Sequence, residues 1–221
     1  MEHHLSVART ARYQQLGHPS ASTRQLWLVV HGYGQLAEYF VRHFAFLHAA
    51  DPAGTIIVAP EALSRFYLAG ASGRVGASWM TRADRLAEIE DQAAYLSLLL
   101  ERLLAECPPE TQVTVLGFSQ GTATASRWLA SLAERWRPHQ LVLWAGDFPA
   151  DIAEEAARQL LQDLSITLVS GDQDEYISFE KLHHQAAILR AHGAKVTTAT
   201  FVGGHTLNSQ VLRQLQTKTG G

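Results

Sequence analysis

The sequence predicts an α/β fold built on a mostly parallel, doubly wound sheet with helices on both faces. Short apolar runs alternate along the chain with longer segments of helical period, and this order is typical of strand–helix–strand units with right-handed crossovers. Most of the short runs are almost continuously apolar, as expected of strands that are buried on both faces. A length of 221 residues with 47% hydrophobic residues suits one compact domain.

Six short runs are predicted as strands, and they cover residues 25–30, 55–59, 112–116, 140–144, 165–170 and 195–202. An earlier run over 5–15 alternates more, which favours an edge strand or a hairpin arm. Helical period predicts helices over 36–50, 84–105, 120–136, 151–162, 179–192 and 206–216. In the second of these helices an apolar stripe is formed by Leu86, Ile89, Ala93, Leu96, Leu100 and Leu103.

The longest irregular stretch covers residues 61–82 and contains Gly70, Gly73 and Gly76. Loops of that length inside a compact domain are usually functional or mobile. The chain shows no linker, no internal repeat and no insertion large enough for a separate lid domain. We therefore predict a single domain over 1–221, with a frayed tail at 217–221.

The composition of the chain limits the kinds of partner that we expect the protein to bind. The net charge is −3 and no Lys/Arg run exists, so nothing in the chain favours nucleic acid. No apolar stretch approaches the roughly 20 residues of a membrane span, so we expect no stable insertion into a membrane. The first residues lack a signal-peptide pattern, and Cys107 is the only cysteine. The sequence predicts a cytoplasmic protein that is a monomer or a weak homodimer.

The segment Gly117-Phe118-Ser119-Gln120-Gly121 is a G-x-S-x-G motif between a predicted strand and a predicted helix. A sharp strand-to-helix turn holds such a serine in a strained conformation, and the flanking glycines allow close approach of neighbouring backbone. The free N–H groups at the start of the helix then lie beside any oxyanion that develops there. The motif predicts Ser119 as a nucleophile; the alternative is a tight turn with an unreactive serine.

A serine hydroxyl needs a base to take its proton. His205 follows two glycines, after the last predicted strand and before the last helix, which is where the base lies in the chain order Ser…Asp…His. The alternative is a loop histidine that caps the final helix. His183 and His184 lie on a helix face without metal-binding spacing, and we expect them to be exposed to solvent.

The base in turn needs a carboxylate that fixes its tautomer. Three aspartates follow strands after the nucleophile: Asp147, Asp172 and Asp174. Asp172 and Asp174 follow the next-to-last strand, which is the better position, and Asp147 is the fallback. Each of them is also suited to capping a turn or a helix.

Two backbone N–H groups are predicted to stabilise the oxyanion. One belongs to Gln120, the residue after the nucleophile, and the other comes from the loop after an early strand. His31-Gly32-Tyr33-Gly34 is such a loop, and we assign its donor to Tyr33 because the glycines on either side let the backbone turn its amides inward. His31 itself is interpreted as a hydrogen-bonded structural histidine.

Taken together, these motifs resemble the phospholipase/carboxylesterase family of small α/β-hydrolases, which includes bacterial carboxylesterases and acyl-protein thioesterases. The resemblance spans most of the chain, through H-G-Y-G, G-F-S-Q-G, G-D-Q-D-E-Y-I and G-G-H. It implies the α/β-hydrolase fold and ranks Asp174 above Asp172 as the acid, with Ile177 closing the motif. It also implies oxyanion donors at Tyr33 and Gln120, and it matches a family tryptophan with Trp79.

The sequence departs from the family pattern at two places near the predicted site. Met80 and Thr81 follow Trp79 where the family has an aromatic residue and an aspartate, and Glu175 stands where a proline is common. These departures leave the predicted triad intact and bear on the substrate. The 61–82 stretch supplies candidates for the wall of an open, shallow acyl site: Phe66, Tyr67, Leu68, Trp79 and Met80.

The predicted function is hydrolysis of carboxylic esters, with thioesters and lysophospholipids as further substrates of the same chemistry. The predicted partner is thus a small acyl ester, and the mechanism needs no metal or organic cofactor. Two alternatives are a small peptidase or acyltransferase on the same fold, and a non-catalytic binding module. A dinucleotide-binding protein is disfavoured because no G-x-G-x-x-G follows the first strands.

Overall fold

A computed structural model describes residue 1 and residues 3–218, and within this part a seven-stranded sheet forms the centre of the molecule. In chain order, its strands are β1 Tyr13–Leu16, β2 Gln25–Val30, β3 Thr55–Pro60, β6 Gln112–Phe118, β7 Gln140–Trp144, β8 Ser165–Gly171 and β9 Lys195–Phe201. The labels β4 and β5 belong to a separate two-stranded sheet described below. Their spatial order is β1-β3-β2-β6-β7-β8-β9. Edge strand β1 pairs antiparallel with β3, and every other pair in this sheet is parallel. The predicted parallel α/β architecture is confirmed.

Helices cover both faces of the sheet. Their bounds are α1 Ala37–Phe40, a 3₁₀ turn Val41–Phe44, α2 Ala45–Ala50, α3 Arg85–Leu104, α4 Gln120–Leu132, α5 Glu154–Leu161, α6 Phe179–Ala191 and α7 Ser209–Lys218. Helices α3 to α6 share one core cluster with one face of the strands. Helices α1, α2 and α7 share a second cluster with the other face.

Strand β2 shows why the sequence runs that form the central strands are almost continuously apolar. Leu26, Leu28 and Val30 belong to the core under α3 to α6, whereas Trp27 and Val29 belong to the core under α1, α2 and α7. All five side chains are fully buried. Because successive side chains point to opposite faces, a strand covered by helices on both sides needs apolar residues at every position.

The stretch predicted as irregular over 61–82 contains regular structure, which corrects the sequence prediction. Strands β4 Ser64–Tyr67 and β5 Val75–Ser78 form a two-stranded antiparallel sheet. The turn between them contains Gly70 and Gly73, both with positive φ. Four-residue strands are too short to give a clear period-two pattern. The glycines were therefore the main feature of this part of the sequence, and they predicted an irregular stretch.

Several predicted boundaries also change. The early run over 5–15 yields only the short edge strand β1, and α7 begins at Ser209, three residues after the predicted start. In α3, Leu96, Leu100 and Leu103 of the predicted stripe are buried, but Leu86 is 68% exposed because it lies in the first turn, before the helix reaches the core. The predicted frayed tail concerns residues 217–221, of which 219–221 lie outside the described residues, and α7 continues to Lys218.

Candidate active site

Ser119 lies at the junction of β6 and α4 in a backbone conformation that is rare for a residue with a side chain. Its φ is 53° and its ψ is −119°, and such strain persists only where the surroundings enforce it. The Ser119 N–H donates to the Trp144 carbonyl at 2.8 Å, which ties the turn to the end of β7. The turn therefore has the geometry expected of a nucleophile elbow.

The two glycines of the motif make this turn possible. A Cβ at Gly121 would lie 2.2 Å from the Val30 carbonyl oxygen, and one at Gly117 would lie 2.4 Å from the Gly121 carbonyl oxygen. Both neighbours are backbone atoms, which cannot move aside as a flexible side chain can. Helix α4 thus packs against the ends of β2 and β6 more closely than any side chain would permit.

His205 and Asp174 form a hydrogen-bonded pair at the same edge of the sheet. The Nδ1 atom of His205 lies 3.0 Å from Oδ2 and 3.2 Å from Oδ1 of Asp174. The carboxylate is fully buried, and its Oδ1 also accepts the N–H groups of Tyr176 and Ile177. Because Nδ1 donates to the carboxylate, the lone pair of the neutral imidazole lies on Nε2.

The three candidate aspartates have different partners in the structure. Asp147 forms an ion pair with Lys181, with Oδ2 and Nζ 2.6 Å apart. Asp172 accepts the Gly203 N–H at 3.0 Å and so braces the loop before the histidine. Of the three, Asp174 alone contacts His205 in the described part of the chain, as the family resemblance implies.

Ser119 and His205 reach the same edge from β6 and β9. The ring of Phe118, next to the serine, lies 5.1 Å from the His205 ring, and the Tyr176 ring covers the imidazole at 4.7 Å. Within the described residues no hydrogen bond joins the Ser119 hydroxyl to the imidazole. Such bonds are often long until substrate binds, so the geometry is compatible with an acid–base pair.

The loop after β2 is held rigidly beside Ser119. The Gln35 side chain accepts the Gly32 N–H at 2.8 Å, and the Gly34 N–H donates to the Ala77 carbonyl of β5 at 2.8 Å. A Cβ at Gly32 would lie 3.2 Å from the Ser119 Cβ, so the loop passes directly over the elbow. Neither the Tyr33 nor the Gln120 N–H donates to an acceptor among the described residues, which leaves both available to a ligand.

The Gln120 side chain connects the elbow to the hairpin, a role that the sequence analysis missed. Its amide donates to the Met80 carbonyl at 2.8 Å and accepts the Trp79 N–H at 3.0 Å. Only the backbone of Gln120 was considered in the sequence because the motif says nothing about partners forty residues away. We define these contacts, from Gln120 to residues 79 and 80, as the Gln120 clasp.

Trp79, one of the predicted wall residues, offers little surface to a substrate. Its side chain is 1% exposed, and its indole N–H donates to the His31 carbonyl at 2.8 Å. The ring packs against the His31 ring with centroids 4.9 Å apart. Trp79 therefore supports the loop after β2 through His31.

The other predicted wall residues lie nearer to the surface. Phe66 is half-buried and packs on the Tyr33 ring at 5.2 Å, while Tyr67 and Leu68 are exposed on the hairpin. Met80 is half-buried, with its sulfur 3.9 Å from Arg127 Nη1. Phe66 and Tyr67 thus remain candidates for substrate contact, since both are accessible on the hairpin beside the loop after β2.

His31 is a buried histidine with both ring nitrogens hydrogen-bonded, as the sequence interpretation proposed. Nδ1 donates to the Gly32 carbonyl at 2.8 Å, and Nε2 accepts the Ala62 N–H at 3.1 Å. Burial lowers the pKa of the imidazole from 6.5 to about 4, because a charged ring is poorly solvated there. His31 is therefore a neutral link between the loop after β2 and the start of the hairpin segment.

A buried carboxylate, Glu61, lies next to this link and was also missed. It accepts hydrogen bonds from Arg12, Arg65 and the Ala37 N–H. Burial alone would raise the pKa of the Glu61 carboxyl, but the two guanidiniums hold it below its usual range. The only sign of Glu61 in the sequence was its position directly after a run predicted to be a buried strand.

The lowered pKa of His31 predicts a loss of stability in mild acid. The unfolded chain binds a proton near pH 6.5 whereas the folded chain does so near pH 4, so the free energy of unfolding falls as the pH drops through this window. We expect His31 to contribute a loss of about 3 kcal/mol between pH 7 and 4. The ion pairs of Glu61 add a further loss, below about pH 4.5.

Urea unfolding at a series of pH values measures this effect. We expect His31→Asn to be less stable than the parent at pH 7 but to show a flatter profile between pH 6.5 and 4. His18→Asn, which removes an exposed imidazole, is the matched control and should keep the parental slope. Equal slopes for the parent and His31→Asn would contradict the assignment.

Among residues 1 and 3–218, no group of three or more His, Cys, Asp or Glu side chains is placed to hold a metal ion. No helix in the same described part is both long and apolar enough to cross a membrane.

The parallel sheet, the strained serine turn and the histidine loop after the last strand define an α/β-hydrolase fold, which confirms the expected fold class. The family model described as Phospholipase/Carboxylesterase matches residues 12–219. The chain therefore belongs to the phospholipase/carboxylesterase family of hydrolases, and the resemblance seen in the sequence is confirmed.

Solved structures agree with this assignment at the level of the fold. Esterase PE8 aligns with a TM-score of 0.71 and 21% identity, over 95% of this chain and 98% of that one. Acyl-protein thioesterase 2 of Zea mays aligns with a TM-score of 0.70 and 18% identity, over 96% and 100%. A phospholipase/carboxylesterase from Dyadobacter fermentans aligns with a TM-score of 0.67 and 15% identity, over 98% and 99%. A comparison with curated protein sequences gives no match.

Proposed function

We propose that this hydrolase cleaves carboxylic esters through an acyl-enzyme on Ser119, with thioesters and lysophospholipids open to the same chemistry. The observation that carries the proposal is the His205–Asp174 hydrogen bond, located at the sheet edge where the strained Ser119 turn lies. Membership of the family supports hydrolysis as the class of reaction, and Ser119, His205 and Asp174 carry the mechanism that we propose.

The first half of the reaction forms the acyl-enzyme. His205 Nε2 takes the proton of the Ser119 hydroxyl as the oxygen attacks the ester carbonyl carbon. The buried Asp174 carboxylate stabilises the imidazolium that results. When the bond to the leaving alcohol breaks, the imidazolium returns the proton to the departing oxygen, so an alcohol leaves and the acyl group stays on Ser119.

The second half releases the acid. A water molecule gives a proton to His205 as its oxygen attacks the acyl-enzyme carbonyl, and the proton then returns to Ser119 as the acid leaves. In both halves the carbonyl oxygen becomes negatively charged. The Tyr33 and Gln120 N–H groups are the donors we assign to it, and the hydrogen bonds from Gln35 and β5 hold the loop of Tyr33 in place beforehand.

The accessible hairpin residues suit short or medium acyl chains. Phe66 packs against Tyr33, so an acyl group bound at the Tyr33 N–H would have this aromatic pair beside it. Tyr67, which is exposed, would extend the same contact surface.

A fluorophosphonate probe tests the mechanism because it reacts with an activated serine. We expect one probe per chain by intact mass, with the modification mapped to the peptide that contains Ser119. Labelling should disappear in His205→Ala and persist in His183→Ala, which removes a histidine from the surface of α6. An unlabelled parent protein would favour a non-catalytic binding module, and labelling at another serine would refute the assigned nucleophile.

A further inference from the structure

A groove opens directly beside the loop that carries the proposed oxyanion donor. Its volume is about 530 Å³, and it is bordered by Gly34 and Gln35 of the loop, Tyr39 and His43 from the α1 region, and Arg74 and Val75 of the hairpin. We call it the Arg74 groove. Since Gly34 directly follows Tyr33, a substrate whose carbonyl oxygen binds the Tyr33 N–H has one end of this groove within reach.

Positive charge predominates in the Arg74 groove. Arg74 is exposed, and no carboxylate among the described residues lies within 4.0 Å of its guanidinium. The Arg42 guanidinium lies over the Tyr39 ring, 4.9 Å from its centroid. Arg74 lines the groove from the hairpin, and Arg42 lies beside Tyr39, which lines it from α1.

One carboxylate is present near these cations. The Glu38 carboxylate beside the Tyr39 hydroxyl raises the pKa of that hydroxyl, whereas the Arg42 and Arg74 guanidiniums act against the rise. The Glu38 charge also contributes to the raised pKa of Arg12, after the larger effect of the Glu61 hydrogen bond. A single carboxylate shared in this way does not neutralise two guanidiniums, so the groove keeps an unmatched positive charge.

The floor of the groove is apolar. Leu36 and Phe40 line it from α1 and are almost fully buried, and Val75 lines it from β5. A short methylene chain would pack there while a charged end reached Arg74. The combination differs from a purely apolar acyl channel because Arg74 is part of the lining.

We propose that the Arg74 groove binds a carboxylate on the acyl side of the substrate, so that the preferred substrates are monoesters of short dicarboxylic acids. This inference rests on the proposed ester hydrolysis. Arg74 is then a specificity residue that contacts the substrate at the end remote from the reacting carbonyl. Arg is suited to this role because its planar guanidinium pairs with both oxygens of a carboxylate.

The test compares two esters that differ at one end of the acyl chain. Mono-p-nitrophenyl glutarate carries a carboxylate where p-nitrophenyl pentanoate carries a methyl group. We expect Arg74→Gln to lower kcat/KM for the glutarate ester about fivefold, through KM, as for an exposed charge pair. The pentanoate value should stay within about twofold, and the difference should shrink at high salt.

Arg102→Gln is the matched control, because Arg102 is exposed on α3 and carries the same charge away from the groove. It should leave both esters unchanged. Equal effects of Arg74→Gln on the two esters, or no effect on either, would overturn the inference while leaving ester hydrolysis intact.

Failure of the proposed function would be visible separately, as no hydrolysis of either ester by the parent protein. In that case equilibrium binding of mono-p-nitrophenyl glutarate to the parent and to Arg74→Gln decides the inference. About fivefold weaker binding by the variant supports an anion site in the groove, and equal binding refutes it.

Discussion

Ser119→Ala is expected to abolish ester hydrolysis, with kcat for p-nitrophenyl butyrate falling by about 10⁵- to 10⁶-fold. The methyl group of alanine cannot form an acyl-enzyme, so the remaining rate would come from the oxyanion donors and from binding alone. Steady-state release of p-nitrophenolate measures the loss. Because alanine meets the same strain as serine at a φ of 53°, the substitution should leave the backbone of the turn unchanged.

Ser131→Ala is a suitable control for this experiment. Its hydroxyl bonds to the Trp128 carbonyl within α4, away from the sheet edge, and the variant should keep parental activity. Thermal unfolding of both variants separates a chemical effect from a loss of fold. Parental turnover in a folded Ser119→Ala variant would show that another group is the nucleophile.

Asp174→Asn is expected to lower kcat by about 10⁴-fold, with little change in KM. The reason lies in the hydrogen bonds of the carboxylate. Oδ1 accepts the Tyr176 and Ile177 N–H groups, so the asparagine oxygen should occupy that position and the amide nitrogen the position of Oδ2. The amide then donates to His205 Nδ1 and stabilises the tautomer with a proton on Nε2, which cannot accept the Ser119 proton.

Asp147→Asn tests the fallback acid in the same assay. Asp147 pairs with Lys181, so its loss should cost little activity, and Asp172→Asn should act through the stability of the histidine loop. The Asp174→Asn loss should also be smaller at higher pH if hydroxide replaces the general base. A greater loss in Asp147→Asn than in Asp174→Asn would transfer the acid role to Asp147.

The fold was predictable because each central strand is covered on both faces. Runs such as 25–30 and 140–144 are apolar at every position after their first residue, a glutamine, and their bounds agree with β2 and β7. The hairpin of β4 and β5 was not predictable in this way. Its strands have four residues each, only β4 alternates between exposed and partly buried positions, and the position of the hairpin depends on contacts with the loop after β2.

The candidate site was predictable where the chemistry depends on local backbone. The turn at Ser119 needs nearby glycines, and these are visible in the sequence. The choice between Asp172 and Asp174 required the family resemblance, since both follow β8 within three residues. Gln35 and Glu61 were missed because their partners are side chains and backbone groups brought together only by the fold.

The Gln120 clasp has a consequence for protein engineering. It holds the base of the hairpin through main-chain groups of residues 79 and 80, and the Gln120 amide also donates to the Ser78 hydroxyl, so the base should be left unchanged. At the tip, a Cβ on Gly70 or Gly73 would meet no atom within 4 Å. Both glycines have positive φ and are best kept, so libraries that diversify Ala69, Ala71 and Ser72 should alter which molecules approach the sheet edge at Ser119 while the Gln120 clasp stays in place.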